Sequence, residues 1–135
     1  MQRDMEAYET VTRAYKMPKG TEAEKQARQG AIQEALGQAV LVPLKSTKVA
    51  LEALEITAEL GNIASPNLLS DVAVAAILGE ATFAASRENV EVNLKSMSDK
   101  KQVENTRREL DEDEARARRL RDDCLRAVRA RCGQG

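Results

Sequence analysis

The chain has 135 residues, with 21 basic and 22 acidic side chains, a formal charge of -1 and no histidine. So even a balance provides no field for nucleic acid or an anionic membrane, and one Phe with two Tyr and no Trp builds no base-stacking platform. Without histidine there is no Ser-His or Cys-His nucleophile and the commonest metal ligand is missing; catalysis would rest on carboxylates, lysines, tyrosines, amides or hydroxyls.

A chain of this size reads as one domain over residues 1–135. β-Branched residues are scattered and no segment sustains apolar–polar alternation, so the expectation is an all-α, single helical bundle of about four to five helices.

Residues 2–16 form a first predicted helix, broken by Met17-Pro18-Lys19-Gly20. Thr21 and Glu24 then stand as a capping box. The second helix carries Ile32, Leu36 and Val40 one turn apart. Pro43 lacks an N–H and crowds the preceding turn, which predicts a kink there. The helix resumes through Val49, Leu54 and Leu60, and Gly61 reads as a left-handed stop. Either Ser65 then caps Pro66, or Ser70 caps a helix opening at Asp71.

From Val72 to Ser86 the only charge is Glu80. A helix apolar on every side belongs in a core, and Asp71 at its mouth is expected to point into the helical interior. Eighteen residues make five turns, so Asp71 and Asn89 share a face with Asn93 one turn beyond. That stripe, with Ala75, Leu78 and Thr82 between its polar ends, suits a slot for a flat ligand. The plainer reading is that Asp71 favours the helix dipole and the asparagines meet water. Glu80 is either a desolvated acid or the partner of a neighbouring Lys or Arg. Asn62 offers an amide beside Gly61, Ser46-Thr47-Lys48 follow the proline, and Lys16 near Pro18 is able to meet a carboxylate-bearing ligand.

Residues 98–135 read as a long charged C-terminal helix opened by Ser98-Asp99. Val103, Thr106, Leu110, Ala117, Leu120, Cys124 and Val128 make a narrow stripe. Four-apart pairs run along it: Glu104 with Arg108, Glu112 with Arg116, Glu114 with Arg118, Asp122 with Arg126. It is either a solvated outer helix docked by one stripe or a subunit-pairing helix. Cys124 and Cys132 lie roughly 12 Å apart along it, too far to bridge. Two free thiols suit a reducing cytosol. The opening has no apolar leader and no run approaches 18 apolar residues, so the chain reads as soluble and cytoplasmic, with no membrane partner.

Several motifs occur in one order: Asp4-x-x-Ala7-Tyr8, Ala14-Tyr15-Lys16-Met17-Pro18-Lys19, Thr21-x-x-Glu24-Lys25-x-x-Arg28, Ala31-Ile32-Gln33-x-Ala35-Leu36, Val42-Pro43-Leu44, Gly61-Asn62, Ser70-Asp71 and Val74-Ala75-Ala76. Together they resemble the folate cyclodeaminase/cyclohydrolase family over roughly residues 4–96. That resemblance implies an all-helical homo-oligomeric enzyme, dimeric at least, acting on one-carbon tetrahydrofolates without a metal or a permanently bound cofactor. It implies Asp71, and second to it Asp4, as the acid/base or orienting carboxylates. Asn62 and Ser70 would contact substrate, joined by Lys16, Asn89 and Asn93. Ahead of the segment resembling Asp4 onward, members carry a helix, a Pro-Gly-Gly-Gly-Ser turn and a long apolar helix with no counterpart here. The alternative expectation is therefore a catalytically inactive oligomerisation subunit or fragment of that family.

Overall fold

A computed structural model describes the backbone of residues 2–133 and the side chains of residues 5–133. Four long helices follow one another: α1 (Gln2–Tyr15), α2 (Glu22–Ile63), α3 (Leu69–Leu94) and α4 (Lys100–Cys132), with a 3-10 turn (Pro66–Leu68) leading into α3. Among the described residues there are no strands. α2, α3 and α4 each pack against the other two, and α1 lies on α2.

The helix starts follow their local chemistry. The Thr21 hydroxyl accepts from the Glu24 N–H at 3.2 Å, and the Glu24 carboxylate accepts from the Thr21 N–H at 2.9 Å, completing the capping box. Asp99 opens α4 by accepting from the Gln102 N–H at 3.0 Å. Pro66 stands first in the 3-10 turn after Ser65, whose side chain makes no cap bond; Ser70 lies inside α3 rather than capping it.

α2 carries on through Pro43 as one element as far as Ile63. Gly61 departs from expectation: it is a buried helical residue with no positive φ. A Cβ on Gly61 would come within 3.3 Å of Cys124 Sγ, so glycine serves close approach of α2 to α4 rather than a helix stop. The Arg131 guanidinium takes the terminal role instead, donating to the Gly61 carbonyl at 3.0 Å and also to that of Ala64.

One core cluster joins Ala14 of α1 with Ile32, Leu36, Val40 and Leu54 of α2, Phe83 and Val90 of α3, and Leu110 and Ala117 of α4. A smaller one gathers Leu69, Val72 and Ala76 against Cys124 and Val128. Of the α4 stripe, Val103, Leu110, Ala117, Cys124 and Val128 are buried, as an outer helix docked by one face requires. Arg118 pairs with Glu114 four residues before it. Arg116 turns to Glu55 of α2 at 2.8 Å, and Arg126 to Asp123. The α3–α4 turn is clasped to α2 by Gln33, whose amide donates to the Ser96 carbonyl at 3.1 Å and accepts from the Ser98 N–H at 2.7 Å.

α3 is the larger correction. Val72, Ala76 and Phe83 are buried, but Val74, Ile77 and Leu78 are 54%, 48% and 60% exposed, and Ala75, Ala81 and Ala85 also face outward. Its apolar character is matched by neighbours on two sides only, so composition alone overstates its burial. The stretch Pro66–Leu94 is also long and apolar enough to cross a membrane, with a window of mean hydropathy 1.6. Its α4-facing flank nevertheless carries Glu80, Arg87 and Glu91, all ion-paired across the helix interface.

Candidate active-site groove

A groove of about 510 Å³ opens where α1 crosses α2 and the end of α3. Met5, Tyr8, Glu9 and Val11 line it from α1, Ala39 and Pro43 from α2, and Asn89, Val92 and Asn93 from α3. The position of α1 is set at its C-terminal end. Arg28 donates to the Tyr15 carbonyl through Nε at 3.2 Å and Nη2 at 3.1 Å, and its guanidinium lies 5.7 Å from the Tyr15 ring centre. Ala14 then enters the core and the earlier turns of α1 overhang α3.

The groove offers an apolar floor with a few polar groups at its edge, the usual make-up of a small-molecule site. Asn93 Nδ2 donates to the Asn89 carbonyl at 3.1 Å, and both asparagines line the groove. Tyr8 is 73% exposed, its phenol open to a ligand.

The expected site residues do not all meet. Asn89 and Asn93 share this groove. Asp4 falls in α1, its side chain outside the described residues. Ser70 and Asp71 are exposed in the first turn of α3, so the inward-pointing acid is not observed. Eighteen residues of helix put Asp71 about 27 Å from Asn89 along the axis. One flat ligand therefore does not touch both. Asn62 is exposed at the end of α2, its amide donating to the Ala58 carbonyl at 3.3 Å. It borders a second groove, between α2 and α4, in which Glu55 pairs with Arg116 and Asp123 with Arg126. Lys16 is exposed beyond the end of α1.

Glu80 takes the paired form of its two readings, accepting from Arg121 Nη1 at 3.0 Å with Arg118 Nε at 4.0 Å. Among the described residues no group of three Cys, Asp or Glu side chains is placed to hold a metal ion. Cys124 is buried and Cys132 exposed, both free; burial pushes the Cys124 thiol pKa upward. Sequence reasoning overlooked Tyr8 and Glu9 as groove residues. The available signal was Tyr8 closing the Asp4-x-x-Ala7-Tyr8 motif in a chain with only two tyrosines.

A model of the formiminotransferase-cyclodeaminase family matches residues 1–112, reaching past α3 into α4. The chain is 40% identical over 111 residues to the methenyltetrahydrofolate cyclohydrolase of Methylorubrum extorquens, a match covering 80% of this chain and 52% of that protein. It is 38% identical over 96 residues to the mouse formimidoyltransferase-cyclodeaminase, covering 71% of this chain and 18% of that one. It also superposes on the crystal structure of a formiminotetrahydrofolate cyclodeaminase from Thermotoga maritima with a TM-score of 0.82 at 32% identity, over 96% of this chain and 60% of that one. The chain thus spans about half the length of the cyclohydrolase and a smaller share of the mouse protein. With the family model matched over most of its length and the fold superposed almost whole, the chain belongs to the formiminotransferase-cyclodeaminase family.

Proposed function

We propose that the chain acts in one-carbon tetrahydrofolate metabolism, as a cytoplasmic homo-oligomer with no resident cofactor or metal. Its substrate is a tetrahydrofolate derivative. The reaction is either addition of water to the 5,10-methenyl ring, giving 10-formyl-tetrahydrofolate, or closure of that ring from 5-formimino-tetrahydrofolate with release of ammonia. The observation that carries this reading is the α1–α2–α3 groove. Its apolar lining at Val11, Pro43 and Val92 suits the face of a pterin, and Tyr8, Asn89 and Asn93 beside them offer polar contacts.

Both reactions need a proton moved at nitrogen or at water, which a carboxylate supplies. Asp71 is the proposed principal acid/base or substrate-orienting carboxylate and Asp4 a second candidate, with Ser70, Asn62 and Lys16 as further substrate contacts. Because these residues are dispersed in one chain, a working site draws on more than this chain's own helices. The test is absorbance of methenyl-tetrahydrofolate with the purified chain, run beside ammonia release from the formimino substrate. Turnover above the uncatalysed rate in either arm, falling by about 10²-fold or more in Asp71→Asn, is the expected result. Full turnover in Asp71→Asn would remove that residue from the mechanism, and no turnover in either arm would overturn the enzymatic reading.

A second reading, a catalytically inactive oligomerisation subunit, is favoured by one observation: Asp71 lies exposed in water, about 27 Å along α3 from the groove asparagines. A folded, self-associating chain silent in both arms is its signature.

A further inference from the structure

Of the ten described residues that line the α1–α2–α3 groove, only Glu9 is charged at neutral pH. It is exposed on α1, and among the described residues no Lys or Arg is paired with it. Arg13, one turn beyond it, donates to the Thr10 hydroxyl at 3.3 Å instead. Tyr8 stands next to Glu9 in the lining and is itself exposed. The remaining polar side chains there, Asn89 and Asn93, are neutral amides.

A carboxylate, an aromatic ring and no basic group among those residues favour one class of ligand. A planar cation is drawn to the carboxylate by its charge and to the tyrosine by the negative face of the ring. The apolar lining at Val11, Pro43 and Val92 displaces water that would otherwise screen the pair, so the attraction exceeds that at an open surface. An anion meets the reverse. The groove accepts a flat cationic head and turns a carboxylate-bearing tail outward.

We infer that this groove selects a planar amidinium cation, with Glu9 the residue that sets its charge specificity. The inference rests on the folate reading for the identity of that cation. Both candidate reactants carry one. The methenyl ring shares a positive charge over N5, the bridging carbon and N10, and the formimino group is a protonated amidine at neutral pH. Addition of water to the methenyl carbon, with loss of one proton, gives a neutral formamide, so the product loses its hold on Glu9. Ring closure with release of ammonia passes the charge intact from the formimino group to the methenyl ring, and that product stays paired. Glu9 therefore holds substrate and moves no proton, and the groove empties itself after water addition but not after ring closure.

The experiment titrates the purified full chain by calorimetry with benzamidine, a flat amidinium, and with benzamide, its neutral isostere. Turnover of methenyl-tetrahydrofolate is measured beside them. Benzamidine is expected to bind about 10-fold tighter than benzamide, and Glu9→Gln to abolish that preference while leaving benzamide within about 2-fold. Salt should weaken benzamidine in the natural chain and not in the variant. The KM for methenyl-tetrahydrofolate should rise about 10-fold in Glu9→Gln with kcat within about 3-fold, and Glu9→Asp should recover part of the loss. Glu34→Gln, the same change of charge on an exposed residue of α2 outside the groove lining, should alter none of these. Equal binding of the two probes, binding of neither, or a Glu9→Gln loss shared by benzamide would overturn the inference. A Glu9-dependent preference for benzamidine in a chain that turns over neither folate would sink the folate reading and leave the cation site intact. Turnover with KM unmoved in Glu9→Gln would do the reverse.

Discussion

Glu80 of α3 and Arg121 of α4 meet at 3.0 Å, so the one charge of the alanine-rich segment joins two helices. The Glu80 side chain is 17% exposed and Arg121 29%, which puts the pair between a surface bridge and a buried one. Glu80→Gln is expected to cost about 1–2 kcal/mol in urea denaturation. Turnover per folded molecule should stay unchanged, since the pair lies outside the groove.

Phe83 is fully buried and the only aromatic residue of the core. Phe83→Ala removes the largest side chain there and leaves a cavity between α2, α3 and α4. Destabilisation of about 3–5 kcal/mol is expected, measured by thermal or denaturant unfolding. A change below 1 kcal/mol would show that the site collapses on truncation.

The glycines of α2 divide by what lies beside them. A Cβ on Gly30 meets nothing within 4 Å, so Gly30→Ala should raise stability by about 0.5–1 kcal/mol through helix propensity alone. At Gly61, with Cys124 Sγ at 3.3 Å and the Cys124 carbonyl at 3.4 Å from the added atom, Gly61→Val should lower stability by about 1–3 kcal/mol. The opposite signs are read from paired denaturation curves.

Cys124 and Cys132 should separate in a thiol titration. Cys132 is exposed and reacts at once with a disulfide reagent; Cys124 is buried and reacts only as the chain unfolds. The raised Cys124 pKa also has a sign in stability. The folded thiol holds its proton more tightly than the unfolded one, so its contribution is complete below the ordinary pKa of 9.0 and is lost as pH rises beyond it. Stability should therefore decline above about pH 9, and Cys124→Ala should flatten that decline.

The starts of α2 and α4 were legible because capping is local: Thr21 with Glu24, and Asp99 with Gln102, each lie three residues apart. The α4 stripe was legible for a similar reason, since only one face of that helix is apolar. Gly61 was misread because glycine at a helix end and glycine at a close helix crossing look alike until the partner, Cys124, is known. α3 was overburied because its composition matches a core while the number of neighbours around it is a tertiary fact. The 18-residue period puts Asp71 and Asn89 on one face but is silent on the length of helix that keeps them apart. Tyr8 and Glu9 were overlooked because the placement of α1 over the end of α3 is set by its packing on α2, including the Arg28–Tyr15 contact, which leaves no periodic trace.

The clasp of Gln33 on Ser98 spans 65 residues. At a synthesis rate of about 5–20 residues per second, the first third of α2 waits several seconds for the backbone groups that fasten it. The nascent chain meanwhile exposes a long apolar hairpin, α2 with α3, before α4 has emerged to sheath it. Holdase chaperones are expected to find this protein on the ribosome.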